Sequence, residues 1–308
     1  MSAVDIEYPR DMTGYGRNLP HPRWPGDARV AIQIAVNYEA GGESNVLHGD
    51  RASEGALSDT PFPAMEGERN WLVESAYEYG SRRGIWRLFD LFAERGVRVS
   101  LFGVVMALER NPEVARAFAA AGHEIVSHGY RWIDYREVDE QTERELMRRA
   151  VAGIERLTGA RPVGWMTGRP SMRTRALVVE EGGFLYDRDA LNDELPYWVE
   201  VADGHHLVIP YSYETNDMRY GSSQGGFVTG RDFADYLCDT FDQLYAEGAR
   251  QPKLMPIGLH ERTVGRPGRA HGLARFLDHA LAHERVWFAT GREIAEHWRR
   301  EFPAPSAR

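Results

Sequence analysis

The sequence has one cysteine, Cys238, and one lysine, Lys253. A lone cysteine cannot close an internal disulfide. Its place in the apolar-periodic run DFADYLCDTFDQLY predicts a buried structural thiol. With almost all positive charge on arginine, a Schiff base or a carboxylated-lysine metal site would have to use Lys253. A basic excess is also missing: 37 Lys and Arg against 46 Asp and Glu leave a net charge of −9. Nucleic-acid binding, which draws on a basic face, is therefore not expected. No apolar run approaches the roughly 18 to 20 residues of a membrane span, so no membrane partner is expected either. The opening MSAVDIEYPRD is polar with early acids, unlike a signal peptide, and the expected location is cytoplasmic. No G-x-G-x-x-G or phosphate-binding loop is present.

What the sequence does have is a rhythm of strands and helices. Candidate strands lie at 30–39, 99–105, 124–130, 163–167, 184–187, 207–213, 254–260 and 286–289. Amphipathic runs such as IWRLFDLFAERG and PEVARAFAAAG separate most of them, several ending in glycine. This alternation predicts an α/β fold, a parallel (β/α) barrel, with an open doubly wound sheet as the competing arrangement. No linker or repeat divides the chain, so residues 1–308 read as a single catalytic domain. Two segments stand outside the rhythm. Residues 1–27 look like an extended arm over the barrel or a neighbouring subunit, and 40–83 form a long loop excursion of the kind that serves as a lid or interface.

Polar residues close the candidate strands at regular places. Glu39 ends the first, His128 the third, and Arg169 follows the fourth. Asp187 and Asp189 follow the fifth, Glu214, Asn216 and Asp217 the sixth, and His260 ends the seventh. In a parallel barrel all these ends open on one face. Polar residues resume at any strand end, but six ends bearing groups able to do acid–base or oxyanion work point to a pocket. Its chemistry suits hydrolysis of an amide-like bond: Glu39 activates water, His260 protonates the departing nitrogen, and His128 orients substrate or stabilises charge.

Other motifs read as structure. GSSQG at 221–225 fits the G-x-S-x-G pattern but lacks the strand before it and the helix after it. His205 and His206 sit in an expected turn, ADGHHL, and read as solvated. His271, His279 and His283 lie in or beside one helix, where i, i+4 spacing could hold a metal; a partly exposed helix face is the simpler reading.

The strand-end segments resemble the polysaccharide deacetylase (NodB-like) superfamily over most of the chain, and within it the bacterial metal-independent allantoinases of the PuuE type. The similar stretches include YPRDMTGYG, HPRWPGDARVA, VNYEAGGE, ESAYEYGSRRGIWR, SHGYRWIDY, RPVGWMTGR, EEGGFLYDRD, NDELPYW, TNDMRY and IGLHERTVGRPGR. The resemblance implies a deformed (β/α) barrel and a homotetramer. Metal-using deacetylases carry Thr-Phe-Asp-Asp-Gly, where this chain has Asn37-Tyr38-Glu39-Ala40-Gly41. The base keeps its carboxylate, and the ligand position is alanine. Their His-Ser/Thr-x-x-His motif becomes His128 to Trp132, so a tryptophan replaces the second histidine ligand. One ligand of three is too few for a stable zinc site, and no metal or cofactor is expected. Trp132 could stack on a planar ring or simply fill the vacated space.

The expected activity is metal-independent opening of a cyclic amide, with allantoin converted to allantoate as the leading substrate. Glu39, His260 and His128 are the expected catalytic groups; Trp132, Arg169, Asp189 and Asn216 are the expected substrate contacts. Ala40, the stretch Pro170-Ser171-Met172-Arg173 and Glu261 depart from the allantoinase pattern. They leave open a cyclic imide hydrolase and, more remotely, a metal-dependent carbohydrate deacetylase or a silent binding protein.

Overall fold

In the computed structural model, which describes residues 9–56, 59, 63–222 and 226–305, the apolar run at 30–38 forms strand β1 (Val30–Tyr38), buried along its whole length. Its side chains divide by period two. Val30, Ile32, Ile34, Val36 and Tyr38 enter the core shared with the surrounding helices. Gln33, Ala35 and Asn37 point into the barrel, where Phe102, Val126, Met166 and Tyr211 fill the space. Small and polar side chains suffice on that side because Arg188 crosses the interior, donating to Gln33 Oε1 and to the Pro210 carbonyl.

Joining β1 in the sheet are β2 (Ser100–Gly103), β3 (Glu124–Ser127), β4 (Gly164–Trp165), β5 (Tyr186–Asp187), β6 (Tyr197–Val201), β7 (Gly204–Val208), β8 (Lys253–His260) and β9 (Val286–Phe288). The order is β8-β1-β2-β3-β4-β5-β7-β6, and β9 pairs with the start of β1. The main-sheet pairings are parallel except for the β6–β7 hairpin. The sheet order does not join its β6 and β8 ends, and the chain continuing from β7 runs from the end of β5 to β8. Ile209 N donates to Asp187 O at 3.0 Å on one side, and Gly258 N to Thr215 O at 3.2 Å on the other, next to an Asn216–Gly258 bridge. This is the deformed (β/α) barrel expected from the sequence.

The helices are α1 (Trp71–Tyr79), α2 (Ile85–Arg95), α3 (Val105–Arg110), α4 (Pro112–Ala120), α5 (Glu140–Thr158), α6 (Thr174–Glu181), α7 (Gly230–Glu247), α8 (Pro267–Leu281) and α9 (Gly291–Glu301). Local signals set their ends. Asp139 caps α5, and Gly159, at φ +76°, stops it. Thr229 and Asp232 form a reciprocal capping box on α7.

Several expectations change. The sixth strand, expected at 207–213, runs from Gly204 to Val208 and pairs with β6, which was not anticipated; the two-residue turn between them is Ala202-Asp203, with Ala202 at φ +51°. His206 is accordingly a buried strand residue, with Nε2 3.3 Å from Asp187, not a solvated turn residue. The arm, from residue 9 onward, covers this chain's own barrel: Trp24 packs with Trp287, His297 and Trp298, and Tyr15 donates to the Pro196 carbonyl. The 40–83 excursion carries α1, and a π-helical turn, Gly80–Gly84, leads out of it into α2. Cys238 is half-buried on α7 rather than fully buried. Lys253 pairs with Glu194 and Glu247 at the start of β8, the opposite end of the strand from His260. In the GSSQG stretch, residues 223–225 lie outside the described residues, as do Pro61 and Phe62 of the excursion.

Candidate active site

The C-terminal ends of the parallel strands deliver the expected groups to one place. Glu39 follows β1, His128 follows β3, and His260 is the last residue of β8. Glu39 is 1% exposed, and its Oε1 lies 3.1 Å from His128 Nε2 and 3.6 Å from His260 Nε2. Three side chains separated by up to 221 residues in sequence therefore share one carboxylate.

Sequence reasoning had not singled out the fourth member. Arg262, 2% exposed, brings its guanidinium to 2.6 Å from Glu39 Oε2 and packs over Tyr77 at 4.2 Å. Burial works against ionisation of Glu39, but the charges of Arg262 and the two imidazoles outweigh it and hold the carboxyl well below its ordinary range. The signal available in the sequence was the charged triplet His260-Glu261-Arg262 set between the apolar IGL and TVG.

Asp217, present among the strand-end residues but not chosen, is the partner of His260. Fully buried, it accepts from His260 Nδ1 at 2.6 Å, His260 N at 2.8 Å and Val264 N at 3.0 Å. Burial lowers the His260 proton affinity, but the carboxylates of Glu39 and Asp217 reverse that and raise its pKa. His128 has a carbonyl partner instead, with Nδ1 2.8 Å from Met166 O. Both imidazoles thus have an oxygen acceptor behind them and the Glu39 carboxylate in front, which fixes ring orientation and aims each Nε2 at Glu39.

Glu261 points away from the reacting centre. Its Oε1 accepts from the backbone N–H groups of Glu39 and Ala40 at 3.4 and 3.2 Å. Burial pushes its carboxyl up to about 7, against the pull of Arg262. The π-helical turn explains the ESAYEYGSRRG stretch: a Cβ on Gly84 would lie 1.9 Å from the Glu261 carbonyl, so only glycine lets this turn press against the 261–265 loop.

Trp132 is 4% exposed, and the Arg169 guanidinium lies 4.0 Å from its ring centroid. Arg169 also reaches Glu54 of the excursion at 3.6 Å. The other two expected substrate contacts have their polar atoms committed within the protein. Asp189 accepts from the N–H groups of Thr167 and Gly168. Asn216 donates to Tyr211 Oη and accepts from Met218 N. They brace the site. The departing stretch after Arg169 anchors elsewhere too, through Ser171 and Arg173 to Glu143 of α5, with Met172 fully exposed.

Among the described residues, one group of three His, Cys, Asp or Glu side chains has ligand atoms within 4.8 Å of one another, and it lies outside this pocket. No helix among them is long and apolar enough to cross a membrane.

Similarity to known proteins runs through the same segments. The polysaccharide deacetylase family model matches residues 70–181. A Schizosaccharomyces pombe protein carrying the name polysaccharide deacetylase is 39% identical over 315 residues, 96% of this chain and 98% of its own. A Pseudomonas aeruginosa crystal structure described as a polysaccharide deacetylase is 56% identical, with TM-score 0.94 over 96% of this chain and 99% of that one. The crystal structure of PuuE allantoinase is 54% identical, with TM-score 0.95 over 97% and 99%. Full-length identity at this level, on the same curled barrel, makes the chain a member of the polysaccharide deacetylase family.

Proposed function

We propose that this chain is a hydrolase that opens a cyclic amide without a metal ion, with allantoin as substrate and allantoate as product. The observation that carries the reading is the Arg262 guanidinium against Glu39. A fixed organic cation occupies the flank of the base carboxylate, while Ala40 and Trp132 stand where the family's metal-using members have ligands. The similarity to PuuE allantoinase supports the substrate.

In this reading the Arg169 guanidinium moves off the Trp132 ring, a planar hydantoin takes its place there, and Arg169 and His128 orient it. Glu39, kept ionised by Arg262, takes a proton from water as the oxygen attacks the ring carbonyl. His260, held by Asp217, gives its Nε2 proton to the ring nitrogen as the C–N bond breaks. The products are a carboxylic acid, which releases its proton to solvent to become the carboxylate, and a free ureido nitrogen; proton return from Glu39 to His260 resets the pair, whose atoms lie 3.6 Å apart.

The names of several relatives favour a second reading, metal-dependent deacetylation of a carbohydrate. Turnover on racemic allantoin, succinimide, hydantoin and an N-acetylated chitooligosaccharide, before and after exhaustive chelation, separates the readings. Ring opening of allantoin that survives chelation is expected. Deacetylation that vanishes with the metal would overturn the proposal, and preference for succinimide would move the substrate to cyclic imides.

A further inference from the structure

Away from the catalytic groups, at the α7–α8 pair, side chains from the two helices and from the turn just after α8 converge. His279 Nε2 lies 2.7 Å from Asp242 Oδ1, and the ring centroids of His279 and His283 are 4.9 Å apart. One ligand atom from each of Asp242, His279 and His283 falls within 4.8 Å of the others.

Two features make this more than a chance meeting of polar groups. His283 Nδ1 sits 2.9 Å from the His279 carbonyl, which can only accept. That contact puts the proton on Nδ1 and leaves the Nε2 lone pair free to bind, the tautomer a metal ligand needs. Both rings also pack against aromatic neighbours. Phe241 meets His279 edge-on at 5.5 Å and His283 at 5.0 Å, and Tyr245 backs His283 at 5.1 Å. At the opposite end of the pair, the helices touch through Gly230 and Gly272, where a Cβ on Gly272 would come within 2.0 Å of the Gly230 carbonyl. The two helices therefore share a fixed register that keeps Asp242 opposite His279.

We propose that Asp242, His279 and His283 form a binding site for a divalent transition-metal ion of the Zn2+ class. Two imidazoles and a carboxylate suit zinc, cobalt or nickel better than calcium or magnesium, which prefer all-oxygen sets. Tetrahedral coordination with bonds of about 2.0 Å separates ligand atoms by about 3.3 Å. The Asp242–His279 contact need only widen by roughly half an ångström, and His283 swing inward, to reach that spacing. Asp242 and His279 are 54% and 32% exposed, so solvent can supply the ion and a fourth ligand. Bound there, the ion ties together the C-terminal halves of two helices that are otherwise joined by packing.

The test uses the full chain stripped of metal and titrated with Co2+ and, separately, Zn2+. One equivalent of Co2+ giving visible absorption bands, together with a rise in Tm on adding Zn2+, is expected. A His279→Gln/His283→Gln variant should lose both responses, and Asp242→Asn should weaken binding by about tenfold or more. Circular dichroism and undiminished allantoin turnover, or turnover on whichever substrate the wild type accepts, establish that the variants are folded. Absence of bands at millimolar Co2+, or bands undiminished in the double variant, would overturn the site. Bands lost instead on His128→Gln would place the ion in the catalytic pocket, against both this proposal and the metal-free mechanism.

Discussion

Replacing Asp217 by asparagine tests the assignment of His260 as the acid. The carboxylate accepts three hydrogen bonds, one from the imidazole and two from the backbone of His260 and Val264. Asparagine keeps the shape but offers one acceptor atom and one donor, so one set of contacts turns repulsive. A charge-assisted bond of this kind contributes about 1.5 to 3 kcal/mol. At about 1.4 kcal/mol per pKa unit, the His260 pKa should fall by about one to two. The direction follows from its raised native value. Stability linked to that proton is present below the ordinary histidine value of 6.5 and disappears as pH rises through the raised native value. The stability gap between wild type and D217N should thus be widest in acid and narrow above neutrality. In kcat/KM profiles on allantoin, the alkaline limb, where the acid loses its proton, should move down by about one to two pH units. The plateau should drop by roughly 10²- to 10⁴-fold, as when the aspartate that orients a catalytic imidazole elsewhere is neutralised. An alkaline limb that stays in place, or a rate within threefold of wild type, would refute the role given to the pair.

Glu39→Gln should abolish most turnover and, by stranding the buried Arg262 charge, cost about 3 to 5 kcal/mol in denaturant unfolding. Because the native Glu39 pKa is depressed, that cost should be full above about pH 4.5 and shrink as wild type is acidified. Trp132→Ala should raise KM at least tenfold, whereas Trp132→Phe should keep most of the affinity; equal losses in both would argue against ring stacking. Glu261, with its carboxyl pushed up to about 7, favours the fold below pH 4.5 and loses that contribution as pH rises through 7. Glu261→Gln should therefore flatten the fall in urea midpoint between pH 5 and 8, and an unchanged slope would show that the carboxyl ionises freely.

The fold was largely legible because it depends on repeating patterns. β1 and β8 are long apolar runs, and Glu39 and His260 stand out as charges at their ends. The β6–β7 hairpin was missed since its strands, YWVEV and GHHLV, are partly exposed and mix polar with apolar residues. The site was legible only in part for a different reason. Sequence position says which residues reach the barrel mouth, but not how deep each sits. Asn216 and Asp217 are neighbours, yet one braces Tyr211 and the other holds His260. Arg262 was hidden because a charge after a strand usually marks a return to solvent, whereas here the chain turns inward under the π-helical turn of Gly80–Gly84.

The segment that runs on from β7 to meet β8 also carries Asp217, so the acidity of His260 is tied to that contact. The Asn216–Gly258 bridge is one residue from Asp217 and two from His260. Should a fluctuation part this seam first, taking with it the Asp217 bonds to His260 and Val264, the carboxylate would leave the imidazole while the main sheet holds. Local openings of this kind occur at lower free energy than global unfolding. Activity should accordingly fade some degrees below the melting temperature, with the seam acting as a thermal fuse for catalysis while the remaining strands stay paired.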